Sequence, residues 1–512
     1  MEMSFSVLRH LRNYATGGLV SALIGVASFP ILTRSLSVED YGIVGLILST
    51  LTLFVAVGKC GVQHSIIRFY AEVKNRNSKF TESEFYSTTI ALAFVLSIVC
   101  MVVWLVAGFW LVPAISDSED ITKYFLLGTL YIFLRILSSN PANVLSAQLK
   151  SGIVMRSVVI RRVVYISMIL IYLATKTISV ETVVLSFIVA ELISLIYLLH
   201  HYLPGKVHSF KGIGVSFATT LLWFGFPLMA LESLGLMMRL SDRYIIQYLL
   251  DENALGQYAA SHNFSGYVEI IVTSAVISAI KPIYNEIWET KGKKATQSFL
   301  SRSFHIYLMV GIPFVAMFSL TAPHVVNILA STKYQPGTVI IPWITAGILI
   351  EGSVLFLAAG IDIKKQTSKL VRWGFIALLA NIILNFIFIP RFGILGAAVV
   401  TLFTYAIYSI GIMWSAFRLL SFDVAVRNPV VMVVASLLTW WLVSIIPVPG
   451  DFLAVLIKGT ISVVVLAVLA LCIDPKLRMV LVEFLQRFSP RLGSVGISLG
   501  SQLQGLLGRS SQ

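Results

Sequence analysis

The chain has 512 residues, of which 57% are hydrophobic and 12% charged, and its mean hydropathy is +0.88. So apolar a composition excludes a water-soluble enzyme with a single anchor and implies a polytopic membrane protein. A net charge of +14 would suit nucleic acid in a soluble domain, but here the bases lie in short connections between apolar runs, where they orient helices, so no nucleic-acid partner is expected.

In chain order, Arg9 and Arg12 precede a run from Tyr14 to Leu32 with no convincing cleavage motif after it, so it reads as a membrane helix and not a signal peptide. Apolar runs follow at about 42–58, 86–108, 122–141, 155–174, 180–200, 216–238, 257–280, 305–325, 337–361, 371–389, 394–416, 430–448 and 453–473. With the first run at about 14–33 they make fourteen expected spans, each able to cross roughly 30 Å of hydrocarbon at about 1.5 Å per residue. The fold class is therefore all-α. With the N-terminus in the cytoplasm, 29 of the 38 bases fall in cytoplasmic segments and 7 in external ones, with Arg135 and Lys458 inside helices, which places both termini in the cytoplasm.

An internal echo links the first and seventh spans. TRSLSVEDYG carries Arg34, Asp40, Tyr41 and Gly42, and MRLSDRYIIQYLLDENALGQY carries Arg239, Asp251, Gly256 and Tyr258. Alternating-access carriers are built from such repeats. The domain reading is an N-terminal lobe over 1–205 and a C-terminal lobe over 206–420, each of six helices, then two further helices over 421–475 and a cytoplasmic tail over 476–512 rich in glycine and serine.

Several strings, taken together, resemble a known family: SLSVEDYG followed by GVQHSIIRFY, then RLSDRYIIQYLLDENALGQYAASHNF, KPIYNEIW, TAPHVVNILASTKYQPGTVIIPW and NIILNFIFIPRFGILGAA. They are similar to the polysaccharide-transport branch of the multidrug/oligosaccharidyl-lipid/polysaccharide (MOP) exporter superfamily, the Wzx-type flippases, over about residues 10–415. The resemblance implies two six-helix bundles around a central cavity in a prokaryotic inner membrane. Its implied cargo is a polyprenyl-pyrophosphate-linked oligosaccharide moved from the cytoplasmic to the outer leaflet, with a polysaccharide polymerase and glycosyltransferases as neighbours.

Pyrophosphate and sugar cannot cross hydrocarbon unaided, so such a carrier needs bases and hydrogen-bonding groups facing water inside the bundle. Arg68, Arg135, Arg239 and Arg243 are the candidate substrate-binding bases, since a guanidinium fork matches phosphate oxygens. Arg135 lies inside an expected span, where the alternative is pairing with Glu191 for folding; the others could equally snorkel to headgroups at helix ends. Glu232, Glu269 and Glu351 are candidate ion-coupling carboxylates, because an acid in an apolar run readily takes a proton, so proton or sodium coupling is expected and no cofactor. Asp242 and Arg243 in SDRYII are spaced to cap and clamp the end of the seventh helix as gating architecture. Pro30, Pro141 and Pro227, with nearby glycines, are expected to interrupt the first, fourth and seventh spans. Asn381 and Asn385, one turn apart, can tie helices together.

Cys60, Cys100 and Cys472 have no metal-ligand spacing and read as packing residues. The histidines form no metal motif, and no nucleophile elbow or Walker loop is present, so neither metal chemistry nor built-in ATP use is expected. A drug antiporter of the same superfamily and a membrane polymerase or acyltransferase are the competing functions. The enzyme reading lacks a long external loop rich in Arg and His, and a cavity with bases suits an anionic pyrophosphate better than a cationic drug. The arginines are scattered over three helices, which argues for O-antigen, capsule or exopolysaccharide units over a peptidoglycan precursor.

Overall fold

The computed structural model describes the backbone of residues 2–115, 119–202, 212–270, 275–475 and 478, and the side chains of these except 2–16, 19, 22, 111–115, 119–121 and 275–279. The expected tail, apart from Arg478, lies outside the described residues, as does the connection holding Lys206. All regular structure among the described residues is helical, as hydrocarbon demands when it offers backbone N–H and C=O groups no partner. The helices are α1 (Glu2–Ser35), α2 (Val38–Gly58), α3 (Val62–Lys74), α4 (Glu82–Ile115), α5 (Glu119–Ala147), α6 (Ser151–Ala174), α7 (Val180–Tyr202) and α8 (Val215–Leu249). After these come α9 (Glu252–Val268), α10 (Ala275–Leu329), a 3-10 segment (Thr332–Ile340), α11 (Ile341–Leu357), α12 (Ala359–Ile363), α13 (Ser368–Phe417), α14 (Arg427–Ser444) and α15 (Asp451–Ile473).

Eleven helical stretches among the described residues are long and apolar enough to cross a membrane, against the fourteen expected from sequence. The expected runs at 371–389 and 394–416 form one stretch, Ser368–Phe417, across a break at Gly393, and the runs at about 14–33 and 257–280 include residues that lie outside those fully described. The expected loop after residue 58 is α3, an amphipathic helix that continues α2 after a turn at Cys60 and Gly61. The seventh span runs to Leu249 instead of stopping near 238, so Asp242 and Arg243 stand inside α8 and not at its end. Nor do Pro30, Pro141 and Pro227 end their helices: α1, α5 and α8 pass through them. The non-helical breaks fall at Gly292 in α10 (φ 74°) and Gly393 in α13 (φ 58°), where a positive φ favours glycine.

The chain forms two compact units: residues 1–260, 329–337 and 370–400 make one, and 261–328, 338–369 and 401–512 the other. In the first, α5 packs against α2, α3, α4 and α7, and α8 packs against α2, α3 and α4. Trp104 stacks on Phe125 with ring centroids 3.7 Å apart while its indole N–H donates to the Phe125 carbonyl, so a large aromatic is buried without an orphaned donor. Gly61 has φ 72° and abuts Gly225 of α8 so closely that a Cβ would collide with the Gly225 carbonyl, which is why α3 can lie against α8. In the second unit, α14 and α15 pack together. There Asp451, which opens α15, meets His324 of α10 at 2.7 Å, and Asp474, which follows α15, meets His305 of the same helix. Outward residues such as Val102, Val103, Leu437, Leu438, Val463 and Val464 are exposed and apolar, as a lipid-facing surface requires.

The starts of α2 and α9 share a register. Ser37 caps α2 by accepting from the Asp40 N–H at 3.0 Å, and Asp251 accepts from the Ala254 N–H at 2.6 Å. Gly42 and Gly256, each five positions after its capping residue, back onto one another, and a Cβ on Gly45 would lie 3.2 Å from that of Ala259, again the matching position. The echo between SLSVEDYG and LLDENALGQY thus corresponds to two helix starts that cross at equivalent glycines.

Candidate functional site: a cationic cavity in the first unit

Cavity-lining residues recur at helical spacing on three elements of the first unit. On α5 they are Tyr131, Arg135, Ser139 and Asn143, four residues apart, so all lie on one face. On α8 the stripe is Leu228, Leu231, Glu232, Gly235, Leu236 and Arg239, and on α2 it is Thr52, Val55 and Ala56, leading to Lys59 at the C-cap. These faces enclose two adjoining cavities. One, about 480 Å³, is lined by Thr52, Lys59, Tyr131, Arg135, Glu232, Gly235 and Arg239 among others. The other, about 510 Å³, shares Lys59, Arg135 and Glu232 and adds Gln63, His64, Ser139, Asn143, Leu228 and Leu231.

Arg135 is held in place by a buried acid. Its Nη1 is 3.3 Å from Oε1 of Glu191 on α7, whose other oxygen lies 3.3 Å from Nη1 of Arg161 on α6. Ser138 donates to the same carboxylate. Glu191 has no solvent exposure, whereas the Arg135 side chain is 29% exposed, so the carboxylate anchors the guanidinium from behind while its outer edge faces the cavity. Two arginines on one carboxylate leave the cluster one positive charge in surplus. The expected alternative for Arg135, pairing with Glu191, therefore holds together with its cavity position.

Glu232 stands opposite. Its Oε2 accepts from Gln63 Nε2 at 3.0 Å and lies 3.6 Å from His64 Nε2, and its side chain is 40% exposed. Gly235 has nothing within 4 Å of a would-be Cβ, so the cavity owes part of its room to that missing side chain.

The other sequence candidates lie elsewhere. Arg68 is on the exposed face of α3, 3.9 Å from Glu72 and over the Phe224 ring at 4.5 Å, and it lines neither cavity. Arg243 is buried, and its Nη1 donates to the Gly45 carbonyl at 2.6 Å and to Ser49 Oγ at 2.7 Å, locking α8 to α2. Its neighbour Asp242 accepts from Tyr258 Oη at 2.8 Å and Asn385 Nδ2 at 2.6 Å, and Ser241 donates to Asn381 at 2.7 Å. SDRYII is thus a hub tying α8 to α2, α9 and the first half of α13, with Asn381 and Asn385 as interhelical glue. Glu269, just after α9, and Glu351, in α11, belong to the second unit, each with interactions of its own. Among the described residues no group of three or more His, Cys, Asp or Glu could hold a metal ion.

Sequence reading missed Lys59 and Arg161, because both stand near span ends and count there as loop charges. The four-residue spacing on α5 was a signal for Tyr131, Ser139 and Asn143 once Arg135 had marked the face. Arginines scattered along the sequence also converge in space: Arg135 and Arg239 line one cavity and Arg161 supports it. Scatter along the chain is therefore no argument about the cargo.

A family model described as polysaccharide biosynthesis protein matches residues 7–288. The chain is 25% identical over 403 residues to Lsg locus putative protein 1 of Haemophilus influenzae, covering 75% of this chain and 93% of that protein. It is 22% identical over 170 residues to the probable low-salt glycan biosynthesis flippase Agl15 of Haloferax volcanii, covering 33% of this chain and 36% of that one. An uncharacterized membrane protein of Methanocaldococcus jannaschii is 27% identical over 182 residues, so the chain spans only 35% of that relative's length. Among solved structures, the fold is similar to the lipid II flippase MurJ, with a TM-score of 0.73 at 15% identity, covering 89% of this chain and 97% of that one. It is also similar to a multidrug resistance MATE family transporter of the MOP superfamily, with a TM-score of 0.67 at 12% identity, covering 78% of this chain and 94% of that one. At such identities these two likenesses speak for the fold alone. The chain belongs to the polysaccharide biosynthesis protein family.

Proposed function

We propose that this protein is a flippase that carries a polyprenyl-pyrophosphate-linked oligosaccharide, an O-antigen, capsule or exopolysaccharide unit, from the cytoplasmic to the outer leaflet by alternating access. One observation carries the reading: Lys59, Arg135 and Arg239 line a cavity within a bundle whose outer faces are apolar. A diphosphate there would find charge-assisted donors while its prenyl chain stays in lipid. The name of the Haloferax volcanii relative, a probable glycan biosynthesis flippase, supports the same substrate class.

The remaining parts of the proposal follow from the sequence reading. Two six-helix lobes, 1–205 and 206–420, would rock about the cavity, with 421–475 as additional helices and both termini in the cytoplasm of a prokaryotic inner membrane; the matched register of Gly42 and Gly256 supports the repeat. Glu232, Glu269 and Glu351 are the proposed proton or sodium sites, and the polymerase and glycosyltransferases of the same glycan the proposed neighbours. Changing Glu232 and Glu269 together to glutamine should abolish the response of transport to an imposed gradient. Unchanged gradient dependence in that variant would remove the coupling proposal and leave the cargo proposal intact.

A further inference from the structure

Glu191 is one carboxylate serving two arginines. It is fully buried, with Oε1 3.3 Å from Nη1 of Arg135 and Oε2 3.3 Å from Nη1 of Arg161, and Ser138 donates to Oε1. No other donor among the described residues reaches it. Arg162, the neighbour of Arg161, turns instead to α1, where its Nε donates to Ser21 Oγ at 3.0 Å. Arg135 gives only Nη1 to the acid, and its Nε and Nη2 make no hydrogen bond among the described residues. Arg135 lines both cavities, whereas Arg161, 21% exposed, lines neither. A ligand lying between Lys59 and Arg135 would thus meet Arg135 and not Arg161.

One negative charge divided between two guanidinium groups neutralises neither. Without Arg161, Oε2 of Glu191 would be a buried acceptor with no donor, a costly state, and Arg135 is the cation already in contact with that carboxylate. The two would then close into a bidentate fork, the arrangement that a guanidinium and a carboxylate favour. Such a fork spends two Arg135 nitrogens on the acid and cancels its charge, and an anion in the cavity loses the donor that holds it. We propose that Arg161 is a positioning residue for anion binding: by holding the second oxygen of Glu191 it keeps Arg135 cationic and available to the cavity, without touching the ligand itself. This rests on the reading of the cavity as a diphosphate site and deepens it.

The test is the binding of farnesyl diphosphate to the full chain in lipid nanodiscs, measured by calorimetry. Arg161→Gln leaves Glu191 its contacts with Arg135 and Ser138 but makes the cluster neutral, and affinity should fall at least about tenfold. Arg161→Lys keeps the charge and should bind within about threefold of the unaltered protein. Joining Arg161→Gln to Glu191→Gln brings back the surplus of one positive charge and should recover most of the lost affinity. A packing role for Arg161 would give the opposite, since a second change to the same cluster would weaken it further. Unchanged affinity in Arg161→Gln, or equal losses in Arg161→Gln and Arg161→Lys, would overturn the inference while leaving the diphosphate site standing. A folded double variant that binds no better than Arg161→Gln would overturn it as well, and the two single substitutions decide the matter if the double variant does not fold. If the unaltered protein does not bind farnesyl diphosphate, the diphosphate reading fails and this inference with it.

Discussion

Arg135, Arg161 and Arg243 are three buried or half-buried arginines with different duties, and partner geometry separates them. Arg243 spends its Nη1 on the Gly45 carbonyl and Ser49, so it is part of the frame, and Arg243→Met should lower thermal stability before it touches binding. Arg135 has a fully buried acid behind it and a cavity in front. Glu191→Leu would leave two arginines without their shared counter-ion, and breaking a buried pair by removing one partner costs about 3–5 kcal/mol. A thermal unfolding scan in detergent should register that loss; a transition unchanged from the wild type would mean that Glu191 is not the anchor. Arg135 was legible in the sequence because a charge inside an apolar run has few innocent explanations. Lys59 and Arg161 were not, since a base near a span end is indistinguishable from a loop charge until the helix is seen to continue.

Glycine placement decides much at the level of the elements. Gly42 and Gly256 let α2 and α9 cross in direct backbone contact, so Gly42→Val should cost at least about 1–3 kcal/mol, the usual penalty for overpacking. Gly25, with nothing within 4 Å, is the control, and Gly25→Ala should be neutral or slightly stabilising. Equal melting temperatures for the Gly42→Val and Gly25→Ala proteins would contradict the crossing. Gly235 is also unobstructed, but it faces the cavity: Gly235→Phe should leave folding intact and reduce diphosphate binding by about tenfold or more, checked by calorimetry. Helix existence was readable from the length of the apolar runs, and so was the all-α class. Helix ends were misread at α3 and α8 because local polarity suggested a stop. The bonds that keep those segments helical are long-range: Asp242 finds Tyr258 and Asn385, and Ser65 on α3 donates to the Leu221 carbonyl at 2.6 Å.

For the whole molecule, the central claim is that an apolar bundle encloses a basic, water-accessible site for a lipid diphosphate. Membrane class and the likeness to polysaccharide-biosynthesis proteins were legible in the sequence, because each depends on composition or on strings of neighbouring residues. Which charges meet in space depends on helix rotation, which the spacing on α5 could suggest but only packed helices reveal. The most direct test is the leaflet accessibility of a polyprenyl-pyrophosphate oligosaccharide in vesicles holding the purified protein, the Arg135→Ala variant, or no protein. The account predicts movement to the opposite leaflet with the unaltered protein and a rate at least about tenfold lower for the variant, with both proteins inserted in equal amounts. A variant as fast as the unaltered protein, or an unaltered protein no faster than empty vesicles, would contradict it.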